Sequence, residues 1–385
     1  MFFCISIVTR GTQKMLKHEI IKQLRTPFVW LFAAACVLIN ALSVISQDYD
    51  IRQILRECEI ADILGTTDIA GAELPEIEDD FTAAMAGSLK YSHSEFVPEE
   101  YADGLLAYLV LTANSARMSE ETAQTVYDLA LPKFRERVAE INNTGEYRYL
   151  NGGDRLHSIL FVSLLLPCAV ETMLLALLIA PKCAGHEYFA GTTQVIYSAK
   201  KGRSLASTKL FAAVILTEMS LTMLTVTALA VFLIRCPCFT LLGSPMLINS
   251  DRMTVIPWAG MSVICYFGLN FITAGAVCAV FTMIGYAWFG LFVRSRANLY
   301  LGAAGALIFT ILLYASYAGT PREAHNFAVI SNPVILLLNR VGNWFAVSER
   351  GIAVPWFEAY SIAAWGALFA VLCALAIRKI KKVSL

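Results

Sequence analysis

The chain has 385 residues, of which 57% are hydrophobic and only 16% are charged, and its mean hydropathy is +0.60. A soluble domain of this size carries about 25% charged residues, so the composition excludes an ordinary soluble protein and favours a polytopic membrane protein. The basic clusters lie beside apolar segments, where membrane topology accounts for them. Nothing in the charge pattern therefore indicates nucleic-acid binding.

The charges are segregated along the chain, although 30 acidic and 30 basic residues cancel overall. Residues 47–156 hold 22 of the acidic residues against 9 basic ones. The segments 1–26, 181–210, 294–298 and 378–385 together hold 16 basic residues and 2 acidic ones. Cytoplasmic segments carry an excess of Lys and Arg. The pattern predicts a plasma-membrane protein with an external acidic insert and both termini in the cytoplasm.

The N-terminal segment 1–26 predicts an amphipathic helix that lies in the headgroup region. Over 12–26, apolar side chains from Met15 to Leu24 fall close to one stripe, and the lysines fall largely off it, as in interfacial helices. A first span follows over 27–46. The insert 47–156, about 110 residues long, is predicted to be a mainly helical external domain, with helical patches at 50–64, 99–116 and 119–141.

The remainder of the chain, 157–385, contains five further apolar segments, each long enough to cross a bilayer, which needs about 20 residues. The fold class is therefore an all-α polytopic membrane protein with six transmembrane helices. An apolar stretch within 318–357 is too short to span, and we expect it to form a helix at the outer interface. The five predicted spans are 158–180, 211–234, 266–292, 299–317 and 358–377.

The ten cysteines do not predict a disulfide framework. Five of them lie inside apolar runs, where a free cysteine behaves as a small hydrophobic residue. Only Cys58, Cys236 and Cys238 fall in segments predicted to be external. A bridge between Cys236 and Cys238, with one residue between them, would be strained.

The sequence contains none of the motifs that carry enzymatic chemistry in a recognisable form. No Gly-rich phosphate-binding loop occurs, so the chain has no nucleotide site of its own. His18 and Glu19 begin a zinc-protease pattern, but Lys22 stands where the second histidine must be. We therefore expect no enzyme activity, no metal and no cofactor bound by this chain.

Two acidic residues inside predicted spans need an explanation. Glu171 and Glu218 each lie about 12–14 Å from the predicted cytoplasmic end of their span at 1.5 Å per residue, which suggests a matching depth. A carboxylate at this depth faces protein or water. The two residues, together with Asn270, either line a translocation path or hold helices together through hydrogen bonds. The sequence leaves both interpretations open.

The segment 181–210, between the second and third spans, carries a distinctive series of residues. A glutamate is followed by Gly-Thr, a serine, a basic Gly-Arg turn and a lysine that opens the next span. Together with the N-terminal helix and the span count, this series resembles the permease subunits of type-two ATP-binding-cassette (ABC) exporters, and the large insert resembles a Gram-positive bacterial subgroup. The matching residues are Glu187, Gly191, Thr192, Ser198, Gly202, Arg203 and Lys209.

The resemblance implies that this segment is a cytoplasmic loop on which a separate ATPase subunit docks. ATP and magnesium would then be held by that partner, and the permease would act as a homodimer or pair with a similar permease in the lipid bilayer. Glu187 would lie near the start of the docking helix, where the helix dipole favours it, and Gly191 would permit close backbone approach. Arg203 and Lys209 would equally suit anchoring to anionic headgroups. The alternative is an ATPase-independent secondary transporter that uses Glu171 and Glu218 as proton-coupled carboxylates.

Overall fold

The computed structural model describes the membrane helices and their immediate connections, together with isolated positions between 83 and 148 and at 308, 311 and 312. The continuous described ranges are 10–25, 27–66, 68–73, 153–192, 205–243, 261–292, 332–342, 344–345 and 356–383.

Nine helices account for most of these residues, and no strand occurs within the described ranges. The helix α4 is continuous over 153–189 and includes a π-helical segment near its start. The helices are α1 (Arg10–Leu24), α2 (Pro27–Ser46), α3 (Asp48–Leu64), α4 (Gly153–His157, the π-helical Ser158–Leu165, and Leu166–Phe189), α5 (Leu205–Arg235), α6 (Phe239–Gly243), α7 (Val263–Phe292), α8 (Pro333–Arg340) and α9 (Phe357–Val383).

Five helices, α2, α4, α5, α7 and α9, are long and apolar enough to cross a membrane. They confirm the helical character of five predicted spans and indicate a multi-pass membrane protein. The remaining predicted span, 299–317, lies outside the described residues except for Ile308, Ile311 and Leu312, which are helical and exposed. The count of six spans therefore remains a prediction.

The helices α4 and α7 form the centre of the bundle. In each of these two helices, 56% of the most apolar stretch is buried inside the protein, against 22–33% in the other three spanning helices. The helix α7 packs against α4 on one side and α9 on the other, and α5 covers α4. Small residues allow the close approach: a methyl group at Gly290 would lie 2.6 Å from Cβ of Ala376 on α9. Small-residue contacts of this kind are typical of membrane helix interfaces.

The predicted helical patch at 50–64 is confirmed as α3, and Arg235 at the end of α5 holds α3 in place. The Arg235 guanidinium donates to the Ile45 carbonyl oxygen at 2.7 Å and to Oδ1 of Asp48 at 2.7 Å. Hydrogen bonds from Arg52 and Arg235 lower the pKa of the Asp48 carboxyl. The ends of α2 and α5 and the start of α3 are thus joined at the predicted external face.

The rest of the acidic insert is described only at isolated positions, so the predicted patches 99–116 and 119–141 lie largely outside the described residues. One ion pair joins them: Nη2 of Arg135 lies 2.6 Å from Oδ2 of Asp103. The folded helical domain expected for the insert therefore stays a prediction.

The short apolar stretch in 318–357 forms a helix, α8, as predicted. The Asn332 side chain caps it by accepting a hydrogen bond from the Val334 backbone N–H at 3.0 Å. Val334, Ile335 and Leu337 are buried, and α8 packs against α4, α7 and α9. Neighbouring helices therefore cover its apolar side chains, and its location at the outer interface stays a prediction.

Candidate functional site at the loop after the second span

The loop predicted over 181–210 is shorter than expected, because both neighbouring helices extend into it. The helix α4 continues to Phe189, beyond the predicted end of its span at residue 180, and α5 begins at Leu205. Glu187 and Lys209 therefore lie on helices, whereas Gly191 and Thr192 lie in the turn that follows α4. Ser198, Gly202 and Arg203, the other predicted docking residues, lie outside the described residues.

The Glu187 carboxylate lies at the centre of a buried ion network. Oε1 accepts a hydrogen bond from Nζ of Lys22 on α1 at 2.7 Å, and Oε2 is paired with Nζ of Lys209 on α5. Lys22 also lies 3.6 Å from Glu19. Glu187 is 2% exposed and Lys209 is fully buried. Three helices, α1, α4 and α5, are thus tied together beside the loop.

This geometry corrects two expectations about the charged residues. Glu187 lies two residues before the C-terminal end of α4, where the helix dipole disfavours a negative charge. The two lysines, and not the dipole, stabilise it. Lys209 has no exposed surface, so it does not anchor the loop to lipid headgroups. For Arg203 that alternative remains open.

The exposed beginning of the loop is a helix-terminating turn. Gly191 has φ of +69°, in the left-handed region, and the Thr192 N–H donates to the Glu187 carbonyl oxygen at 3.0 Å. This is a Schellman arrangement, in which glycine at the left-handed position ends the helix. A methyl group at Gly191 would meet no atom within 4 Å. Gly191 therefore ends α4, and both Gly191 and Thr192 are exposed.

Two measures of the depths of Glu171 and Glu218 differ. Counted from the Glu187–Lys209 pair, Glu171 lies 16 residues back along α4, and Glu218 lies nine residues further along α5, which corresponds to about 24 Å and about 14 Å. Contacts with α7 place the two carboxylates closer in level: Oε2 of Glu218 reaches Gly275, and Cys278, three residues further along α7, contacts the carbonyl oxygen of Ala169, two residues from Glu171. Matching depth therefore stays a prediction.

The two carboxylates also face different helices. Oε2 of Glu171 accepts a hydrogen bond from Nδ2 of Asn40 on α2 at 2.7 Å. Glu218 faces α7, where a methyl group at Gly275 would lie 2.7 Å from Oε2. Oε1 of Glu218 is buried and has no hydrogen-bond partner among the described residues. Glu171 therefore has the contacts of a helix-holding residue, and Glu218 does not.

Asn270, the third predicted path residue, is fully buried and makes hydrogen bonds with both atoms of its amide. Nδ2 donates to the Tyr266 carbonyl oxygen at 2.8 Å, and Oδ1 accepts from the Gly342 N–H at 3.0 Å. These contacts join α7 to the turn that follows α8. The geometry thus favours helix holding for Asn270 over lining a path.

Searches against protein families, curated proteins and solved structures each found no match. Within the described ranges, no group of three His, Cys, Asp or Glu side chains is arranged to hold a metal ion.

The ion network makes a specific prediction about stability. Glu187→Gln takes from the buried Lys209 the carboxylate that it contacts and leaves only the more distant Glu19 as a counterion. Breaking a buried ion pair in this way costs about 3–5 kcal/mol of unfolding free energy. Lys209→Met should cost less, because Glu187 keeps Lys22. The double variant should be more stable than Glu187→Gln alone. Thermal unfolding in detergent measures these differences.

The matched control is Lys17→Met, since Lys17 lies on α1 but is exposed. We expect its unfolding temperature to equal that of the unaltered protein. If Glu187→Gln proves as stable as Lys17→Met, the ion network does not hold these helices together.

Proposed function

We propose that this chain is the membrane-spanning permease subunit of an ABC exporter, which moves its substrate outward with ATP hydrolysed on a separate partner subunit. The observation that carries the proposal is the buried network centred on Glu187, which joins the N-terminal helix to both helices that flank the loop. A permease without a nucleotide site needs this kind of link, because the force from a partner must enter through its cytoplasmic surface.

The network would transmit a displacement of the loop to the helices that flank it. Glu187 and Lys209 lie close to the two ends of the segment 190–204, and Lys22 connects them to α1. Separating a buried ion pair leaves uncompensated charges at a large cost in free energy. A partner that displaces the loop would therefore move α1, α4 and α5 together.

In this proposal, the exposed turn contacts the ATPase, and the buried charges hold that turn in position. Gly191 and Thr192 lie at the surface, and Glu187 and Lys209 lie beneath it. Ser198, Gly202 and Arg203 would complete the docking loop. ATP and magnesium would be bound by the partner subunit, and this chain would hold no cofactor.

The proposed assembly has two permease chains and two ATPase subunits in the plasma membrane, with both termini in the cytoplasm. The permeases would be identical or two similar chains. Exposed apolar side chains cover α2 and α5, including Leu38, Leu42, Phe211 and Val226. These faces suit contact with lipid or with a second permease.

Thr192→Trp tests the docking surface directly. Bulk at this exposed position should reduce recovery of the ATPase with the permease by at least about tenfold, the equivalent of about 1.4 kcal/mol. Both chains would be purified together from the native membrane in mild detergent, and the second chain would be identified by its nucleotide-binding loop and its ATP hydrolysis.

Thr192→Ser is the matched control and should recover the ATPase normally. Equal unfolding temperatures for the two variants would show that docking, not folding, has changed. Normal ATPase recovery with Thr192→Trp, or no ATPase with the unaltered chain, contradicts the proposal.

The second candidate, a proton-coupled secondary transporter, draws support from one residue. A buried carboxylate whose Oε1 lacks a hydrogen-bond partner among the described residues, as in Glu218, is suited to exchanging a proton. Glu171 has a different environment, because Asn40 already satisfies it. The two residues also face different helices, α2 for Glu171 and α7 for Glu218, which weakens a direct relay between them.

Proton flux in vesicles separates the two candidates. The purified chain, reconstituted without ATP and loaded with a pH-sensitive dye, should show no more proton uptake under an imposed gradient than protein-free vesicles. Flux that is present in the unaltered protein, lost in Glu218→Gln and retained in Glu171→Gln would favour the transporter and contradict the ABC proposal.

A further inference from the structure

Three cysteines that are distant in sequence meet at the end of the bundle predicted to be external. Cys58 lies on α3, and Cys236 and Cys238 lie in the turn between α5 and α6. All three side chains are buried and none is bridged. All three belong to one buried cluster, and the thiols of Cys58 and Cys236 lie close enough to Cys238 to change its pKa.

The backbone holds this turn in a fixed shape. The Cys236 N–H donates to the Phe232 carbonyl oxygen at 2.7 Å, and the Cys238 N–H donates to the Cys236 carbonyl oxygen at 2.8 Å. The Leu242 N–H then donates to the Cys238 carbonyl oxygen at 3.1 Å as α6 begins. These hydrogen bonds fix the backbone on both sides of Cys238.

Contacts on both sides of the thiols hold α3 against the turn. Oγ1 of Thr240 donates to Oδ1 of Asp62 at 2.7 Å, one turn of α3 beyond Cys58. Arg235 holds the start of α3 through Asp48. The position of Cys58 beside Cys238 is therefore fixed by polar contacts that do not involve the thiols.

The electrostatics distinguish Cys238 from its neighbours. Hydrogen bonds from Cys236 and Cys58 lower the pKa of the Cys238 thiol. The hydrogen bond with Cys238, followed by burial, raises the pKa of Cys58 and of Cys236. Of the three thiols, Cys238 therefore loses its proton most readily, and the thiolate is the form that attacks a disulfide.

We propose that Cys58 and Cys238 form a disulfide that fastens the first helix of the acidic insert to the external end of α5. Cys236 is the poorer partner for Cys238, because a bridge across one intervening residue is strained. The bond would close a loop of about 180 residues that contains the insert and the docking loop. The inference rests on the external placement of α3, since disulfides persist outside the cytoplasm.

The oxidation requires an external disulfide donor, either a thiol oxidoreductase or a small-molecule disulfide. The Cys238 thiolate attacks one sulfur of the donor, forming a mixed disulfide and releasing the first donor thiolate. Cys58 then loses its proton and attacks the Cys238 sulfur, which releases the second donor thiolate. Two protein thiols are oxidised to one disulfide, and the donor disulfide is reduced to two thiols. Because the three thiols are buried in the folded protein, the donor reaches Cys238 while α3 is displaced from the turn, and the return of α3 then brings Cys58 to the mixed disulfide.

Counting thiols in the full-length protein tests the disulfide. The protein would be denatured without reductant and labelled with a maleimide polymer, which shifts its mobility once for each thiol. Of the ten cysteines, we expect two fewer to be labelled before reduction than after it. Equal labelling before and after reduction would overturn the proposal.

Serine variants assign the bond. Cys236→Ser should keep the difference of two labels, while Cys58→Ser and Cys238→Ser should each abolish it. A difference that persists in Cys238→Ser would mean that Cys236 is the partner, and it would overturn the assignment.

A sidedness measurement separates this proposal from the orientation on which it rests. Single cysteines placed at 60–140 in a cysteine-free variant should react with an impermeant reagent outside intact cells. Labelling only after the membrane is opened would overturn both the orientation and the disulfide. External labelling combined with equal thiol counts would overturn the disulfide alone.

Discussion

The pairing of one buried carboxylate with two lysines determines how three helices are arranged at the end of the bundle predicted to be cytoplasmic. Glu187 ends α4 between Lys22 and Lys209, each contributed by a different helix. Glu187 and Lys209 are buried and Lys22 is only partly exposed, so separating these charges is costly. The alignment of α4 with α5 and the position of α1 depend on this contact, and Gly191 sets the starting point of the loop. The same alignment continues further along the two helices, where the Cys168 thiol on α4 lies beside Thr225 on α5.

Most helices could be predicted from the sequence because each contains an apolar run of sufficient length. The boundaries of α4 and α5 could not be, since an apolar run stops at the first charged residues whether or not the helix stops there. Lys182 and Glu187 continue α4, and Lys209 belongs to α5. The charges of Glu187 and Lys209 are accommodated by their pairing with each other, which hydropathy does not register. The burial of α8 could not be predicted from the sequence either, because an eight-residue apolar helix has the same composition at an interface as in a core.

The sequence singled out two residues that the structure brings together, while the docking role of their loop stays a prediction. The series of residues after the second span indicated a specialised loop, and the structure brings Glu187 and Lys209 together beside it. The roles within the series required coordinates, since a helix dipole and a buried ion pair predict opposite environments for Glu187. The association of Cys58 with Cys238 left no signal in the sequence. Only the packing of α3 against the turn after α5 brings these two residues together.

Site-specific cross-linking at Thr192 tests the central claim most directly, since this exposed residue opens the loop beside the ion network. A photoreactive amino acid at position 192 in intact cells should form a covalent adduct with a chain that carries a nucleotide-binding loop. The same amino acid at Tyr49, exposed on α3 at the other end of the bundle, should give no such adduct. An ATPase adduct at Tyr49 but not at Thr192, or no ATPase adduct at either position, would contradict the account.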